Sequence, residues 1–255
     1  MRLRVLVCLS LGIALLLGCV TPNPPPGPAD PQASVIGVAV KIRGAIKLFS
    51  NGAEWAHFVR LDSDGNEESE PILSNYSSGK YVYLVNAAPG RYAVVAAGFT
   101  QQSQGAPMGS TTSLGGGFSL STSVTVSSTK TITSYLPRHL IEKTAVTVGE
   151  GQMVFIGELV IDTSGDWDSA DAEQLRHYRL IAPGHEDKSF MAKLFSGKHR
   201  RGIEHEVDQG GDARSRFLAH SGGEFSGVSW EGVLRNPVAS GPPAVGGVPH
   251  SSSPK

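Results

Sequence analysis

From residue 34 to residue 162 the chain alternates short apolar runs with Gly, Pro, Asn and Asp punctuation, at intervals of about ten residues. Residues 35–42 form one strand-like run and 46–49 a second, after which Asn51-Gly52 is a turn signal. In 57–62, Phe58, Arg60 and Asp62 alternate with Val59 and Leu61, and Asp64-Gly65 marks the next turn. Residues 80–85 lead into Pro89-Gly90 and 91–97 lead away. Residues 101–133 are rich in Ser, Thr and Gly and read as a long hairpin, or as a loop with one or two edge strands. The clearest β unit is 144–162, where Val146 and Val148 precede Gly149-Glu150-Gly151 and the near-continuous apolar run 153–161 predicts a central strand. With 31 Gly, 16 Pro and 7% aromatics, the composition suits a turn-rich β protein. The expected fold is mainly β, an antiparallel β-sandwich over 34–162.

The character changes after Asp162. Residues 166–178 carry Asp166, Asp168, Asp171 and Glu173 in front and Arg176 and His177 behind, which matches a helix macrodipole. Asp168 or Ser169 is the expected N-cap, with Trp167, Leu175 and Tyr178 turned toward the sheet. From 182 to 235 the pattern is irregular, with helical stretches expected at 213–220 and 230–234. Residues 163–235 therefore read as a small mixed helical C-terminal appendage packed on the sandwich. The Pro/Gly/Ser-rich end, 236–255, reads as disordered.

The first twenty residues have a different logic. Arg2 and Arg4 give a short positive start, and 5–17 is an apolar run too short for a stable membrane span. The run ends in Leu16-Leu17-Gly18-Cys19, which resembles the lipobox of bacterial lipoproteins. That resemblance implies export, cleavage between Gly18 and Cys19, and a diacylglycerol and acyl lipid on the Cys19 sulfur. Residues 1–18 would be the signal peptide. Val20, where that family uses Asp for inner-membrane retention, points to the outer membrane in a diderm host. Residues 19–33 hold the lipidated Cys and a Pro-rich segment with five prolines between positions 22 and 28, which favours extended polyproline II and reads as a stalk. On that resemblance Cys8 would leave with the signal and Cys19 would be lipidated, so the mature body would have no disulfide and would depend on its core. Losing Arg2 and Arg4 takes the net charge from −1 to about −3, and without a basic tract no nucleic-acid partner is expected.

In the body, 81–94 (Tyr81-Val82-Tyr83-Leu84-Val85-Asn86-Ala87-Ala88-Pro89-Gly90-Arg91-Tyr92-Ala93-Val94) resembles the strand–Pro-Gly–strand element of transthyretin-like, carboxypeptidase-regulatory-like sandwich domains. Residues 149–158 are similar to a strand of small bacterial lipoprotein domains of that kind. The resemblance implies a prealbumin-like architecture and an accessory or adhesion-like role. It transfers no catalytic residue.

Two acidic groups offer oxygen ligands. In 62–68, Asp62, Asp64, Asn66, Glu67 and Glu68 crowd one turn, but the Gly does not fall at the sixth position of a calcium loop, and a solvated hairpin tip is the expectation. Asp162, Asp166, Asp168 and Asp171 could wrap a calcium ion, although capping and dipole pairing account for most of their spacing. His177, His185, His199 and His205 fall in the C-terminal part without H-E-x-x-H or C-x-x-C spacing, and surface positions are expected. No G-x-S-x-G, free cysteine or phosphate-cradling glycine loop is present, so no catalytic residue is assigned. Trp55, Tyr76, Tyr81, Tyr83 and Tyr92 are either core or a stacking surface for glycan or protein. The expected function is a membrane-anchored envelope lipoprotein acting as a non-catalytic binding or structural module, without a cofactor beyond its lipid. The alternatives are an envelope hydrolase with active-site loops in 163–235, and a calcium-binding module.

Overall fold

The structure is a computed structural model that describes residues 23–43, 50–104, 108–113, 119–124, 127–164, 167–184, 198–226, 230 and 234. It is mainly β. The strands are β1 (Ser34–Arg43), β2 (Ser50–Gly52), β3 (Trp55–Leu61), β4 (Ile72–Leu73), β5 (Tyr76–Ser78), β6 (Tyr81–Ala87), β7 (Gly90–Gln104), β8 (Met108–Ser113), β9 (Ser119–Val124), β10 (Ser127–Tyr135), β11 (Val146–Val148), β12 (Met153–Ser164) and β13 (Lys198–Asp208). Among the described residues three helices punctuate them, α1 (Arg138–Lys143), α2 (Ala172–Ile181) and α3 (Gly211–Phe225).

The main sheet runs β4-β3-β7-β10-β13-β12-β1-β6-β5, with β11 paired to β7 and β2 to β1. It is mixed rather than wholly antiparallel, because β1 lies parallel to β12 and β10 parallel to β13. The apolar run 153–161 does form an interior strand, between β13 and β1. Its partner β13 comes from the segment expected to be only a helical appendage, and the expected boundary at Asp162 falls inside β12. Alternation in β13 (Lys-His-Arg-Arg-Gly-Ile-Glu-His-Glu-Val-Asp) is polar on most positions, which hid the strand from a pattern search. Asn51 and Gly52 do not turn the chain either: they pair with Ile42 and Lys41 as strand β2. Residues 44–49, which include the second expected run, lie outside the described residues. Within 101–133, β7 and β10 extend as a long pair and β8 and β9 form a separate hairpin.

The sheet curls until β3 lies against β6. Residues 72–78 bridge the two edges, since β4 pairs with β3 and β5 pairs with β6 only two residues later. Asn75 completes the bridge: its Nδ2 donates to Val85 O at 2.9 Å and its Oδ1 accepts from Val85 N at 2.8 Å. Both edges are thereby covered, which removes sites for unwanted strand pairing.

The concave face holds the main core, with Ile36, Val38 and Ile42 of β1, Phe58 of β3, and Ile156 and Ile161 of β12 all essentially inaccessible. A shift of register between His57 and Phe58 lets both Phe58 and Val59 point inward, so the expected alternation breaks there. The convex face carries two helices. α3 covers β6, β1 and β12, where Phe217 stacks on Phe155 at 4.5 Å between ring centroids. Gly37 makes room for it, since a Cβ there would stand 2.2 Å from the Phe217 ring. α2 covers β7 and β10, with Tyr178 against Tyr135 and Trp167.

Residues 23–33, expected as a stalk, are docked on the body. Pro25 is buried. Trp230 Nε1 donates to Pro26 O at 2.8 Å, Asn86 Nδ2 donates to Gly27 O at 3.0 Å, and Ala29 N donates to Asn86 Oδ1 at 2.8 Å. Asn86 turns both amide groups outward from a left-handed backbone conformation, φ 67°. Proline-rich chain has few donors of its own, so its carbonyls are met by side chains.

Candidate functional site

The loop after β3, helix α1 and helix α2 enclose a cleft of about 430 Å³. Its first wall is 61–67. Asp62 fixes this loop by accepting N–H groups of Asp64 at 2.9 Å and Asn66 at 2.8 Å on Oδ1, and the Asn66 amide on Oδ2 at 3.1 Å. The Asn66 side chain, then the Asn66 backbone, hold the Asp62 carboxyl below its ordinary range. Gly65 completes the turn at φ 86°. The expected solvated hairpin tip is present, with 63–66 exposed and Leu61 bridging Glu67, and Glu67 at its end is only partly exposed.

The second wall is α2. Its N-cap is Asp171, three residues beyond Asp168, and Asp171 forms a capping box with Gln174. Asp171 Oδ1 accepts from Gln174 N at 2.8 Å while Oδ2 accepts from Arg138 N at 2.8 Å, joining α1 to α2. Gln174 is buried and its Nε2 donates to Tyr135 O at 3.0 Å and Gly202 O at 2.8 Å. Gln174, His177 and Tyr178 face the sheet, whereas the expected Leu175 is only half-buried.

Behind the cleft, His177 Nε2 and Glu67 Oε1 are 2.8 Å apart. His177 is fully buried, contrary to the surface position expected for it. Glu67 also pairs with Arg176, whose Nε contacts Glu173 Oε2 at 3.1 Å. Burial alone would raise the Glu67 pKa, but the His177 hydrogen bond and charge, with Arg176, outweigh it and hold the carboxyl below 4.5. An ionised Glu67 accepts, so Nε2 of His177 carries the proton and its Nδ1 is left without a partner. His57 on β3 is close enough for His177 to act on its charge. Burial first, and His177 second, push its pKa down to about 4.

Ligand atoms of Glu67, Glu173 and His177 lie within 4.8 Å of one another, a spacing compatible with a metal ion. Arg176 already places its guanidinium on both carboxylates, so the cluster carries its own counter-charge. The aspartates proposed as calcium ligands are arranged differently. Asp162 lies in β12 facing Arg43, with 3.9 Å between charged atoms, Asp168 is exposed, Asp171 caps α2, and Asp166 lies outside the described residues. His199 is hydrogen-bonded to Tyr135 OH at 2.8 Å, and His185 and the His205 side chain lie outside the described residues. Tyr81, Tyr83 and Tyr92 are buried, Tyr76 packs on Tyr83 and Phe225, and Trp55 covers Gly98. These aromatics are packing residues.

Sequence reasoning missed Arg91, Arg138 and Arg176, which come from β7, α1 and α2 to line one cleft. Arg138 pairs with Glu142 at 3.0 Å and Arg176 with its two glutamates, whereas Arg91 forms no ion pair among the described residues. No local pattern could have found them, because 47 and 38 positions of chain separate the three. The chain matches no family model, no curated protein and no solved structure. Among the described residues no helix is long and apolar enough to cross a membrane.

Proposed function

We propose that the protein is a membrane-anchored bacterial envelope lipoprotein, attached through lipid on Cys19, that acts as a non-catalytic binding module. The anchor rests on Leu16-Leu17-Gly18-Cys19 and the positive start before it. Two or more acyl chains hold a protein stably on a bilayer, where one is marginal. In a diderm host, Val20 makes the outer membrane the favoured location. The two halves of the curled sheet, facing each other across the core, then serve as the layers of a sandwich-type, prealbumin-like module.

The observation that carries the binding role is the cleft, where Arg91 forms no ion pair among the described residues while Arg138 and Arg176 already hold carboxylates. Asp64, Glu67, Glu142 and Glu173 line the same cleft, so it is the planar guanidinium fork of Arg91 that is left to meet an acidic group on an envelope glycan or protein. Crosslinking in intact envelopes tests it. We expect a partner that is recovered with the native chain and lost with both Cys19→Ala and Arg91→Ala. Recovery of the same material from all three overturns the reading.

The hydrolase alternative draws on the convergence of Glu67, Glu173 and His177 beside the cleft. It is the weaker reading, because His177 is fully buried and a general base must reach the proton it removes. Turnover of an envelope polymer that Glu67→Gln abolishes would restore it.

A further inference from the structure

A second concavity, about 300 Å³, opens between α3 and the residues Trp230 and Leu234. We propose that it receives an acyl chain of the lipid carried on Cys19. The proposal rests on the lipoprotein reading above and adds a place for that lipid on the protein itself.

Three observations support it. The groove is largely apolar, lined by Met153, Leu218, Phe225, Trp230 and Leu234, with no charged side chain among the described residues of its wall. Ser221 also lines it, but its hydroxyl is spent on Tyr83 OH at 3.0 Å. A wall of this kind fits hydrocarbon and offers nothing to a headgroup or a charged peptide.

Gly222 is the second observation. It sits inside α3, where glycine costs stability relative to alanine. Its φ is not positive, and a Cβ built there meets no atom within 4 Å. Neither the backbone nor the packing requires glycine at 222. Gly223 is equally open, but of the two it is Gly222 that lines the groove, so a side chain there would narrow the opening.

The third is the tether. Trp230, a wall of the groove, holds the carbonyl of Pro26. Cys19 precedes Pro26 by seven residues, which span at most about 25 Å when fully extended. The acylated sulfur is therefore leashed to the residue that forms the groove wall, and the high local concentration favours an intramolecular occupant over a free one.

The test uses the full chain in cells fed a fatty acid bearing a photoreactive diazirine. After irradiation the protein is purified, the Cys19 peptide is weighed, and crosslinked peptides are mapped. We expect an acylated Cys19 and crosslinks from its lipid to residues 215–234. In Gly222→Leu, which fills the groove from the helix side, we expect equal acylation, a thermal midpoint no lower than native, and about tenfold fewer crosslinks. Acylated Cys19 with no crosslink to 215–234 overturns the proposal alone. So do crosslinks from bilayer phospholipid without any from Cys19, occupation by residues 236–255 that excludes the lipid, or crosslinks undiminished in Gly222→Leu. An unmodified Cys19 removes the lipoprotein reading and this proposal together.

Discussion

Glu67 and His177 are 110 positions apart in the chain and 2.8 Å apart in the fold, and their contact fastens α2 to the loop after β3. Removing one partner leaves the other buried without its charge or hydrogen bond. A fully buried pair broken this way costs about 3–5 kcal/mol. A glutamine amide oxygen at 67 can still accept from His177 and the position keeps some solvent, so Glu67→Gln is expected to cost about 1–2 kcal/mol. His177→Ala adds a cavity under α2 and is expected to cost about 2–4 kcal/mol. Urea unfolding of both variants and the double variant checks this. Strictly additive losses would show that the contact contributes nothing of its own.

His57 gives the fold a pH dependence of known sign. Its pKa in the folded protein is about 4, against 6.5 when free. Between those values the unfolded chain holds a proton that the folded chain does not, so stability rises with pH. This contribution is complete above pH 6.5, falls as pH drops, and is gone below about 4. Glu67, depressed from 4.5, adds a loss in the same direction at still lower pH. We expect the native protein to lose about 2 kcal/mol between pH 7.5 and 4.5 from His57, after allowing for its partial exposure. His57→Gln should remove most of that difference. An unchanged pH profile in the variant would place the titrating group elsewhere.

Gln174 joins three parts of the fold with one amide. Its Oε1 accepts from Asp171 N at 3.2 Å while its Nε2 donates to carbonyls of β10 and β13. Gln174→Ala loses the capping box and leaves two carbonyls unmet, at an expected cost of about 2–3 kcal/mol. Gln174→Glu should be worse at pH 7, because it turns a carboxylate toward those same carbonyls. Thermal melts in the order native, Ala, Glu check the ranking. Equal midpoints for Ala and Glu would mean that the donor amide is not what holds α2 down.

The legible parts of this fold are those whose pattern is local. β1, β6, β7 and β12 announce themselves because Val, Ile, Leu and Tyr dominate each run. β13 does not, since an interior strand flanked by a sheet neighbour on each side can still be polar where its faces are covered by α2 or reach solvent. Its parallel pairing with β10 depends on a connection through 136–197, far beyond any turn signal. The helix 172–181 was visible from its charge order, but the N-cap was misplaced because Asp168, Ser169 and Asp171 are equally good caps in isolation. Packing of Gln174 on Tyr135 and Gly202 selects Asp171. The site was not legible, because Arg91 reads as the start of a strand and His177 as the end of a helix until the fold brings them beside Glu67.

Metal binding by Glu67, Glu173 and His177 has a direct check. Arg176 pairs with both carboxylates, so a cation must displace a guanidinium that is already paired. We expect the thermal midpoint of the native protein to be the same with millimolar calcium, with zinc, or with chelator. Arg176→Ala frees both carboxylates, and only in that variant should a divalent ion raise the midpoint, by mass action. A metal-dependent midpoint in the native chain would turn the cluster from an internal latch into a metal centre.

The closest fit between strand and helix is at Gly37, and it supplies the sharpest packing test. Phe217 is fully buried and lies flat on β1, where a Cβ at 37 would overlap its ring at 2.2 Å. Gly37→Ala must push α3 outward or force Phe217 out of its rotamer, an overpacking that costs about 1–3 kcal/mol. Phe217→Ala alone leaves a cavity and costs about 3–5 kcal/mol. Combined, the added methyl occupies part of that space, so the double variant should be less destabilised than the sum by about 1 kcal/mol or more. Denaturant unfolding of the four proteins measures this directly. If the two losses simply add, α3 does not press on Gly37, and the stacking of Phe217 on Phe155 is not what seats the helix.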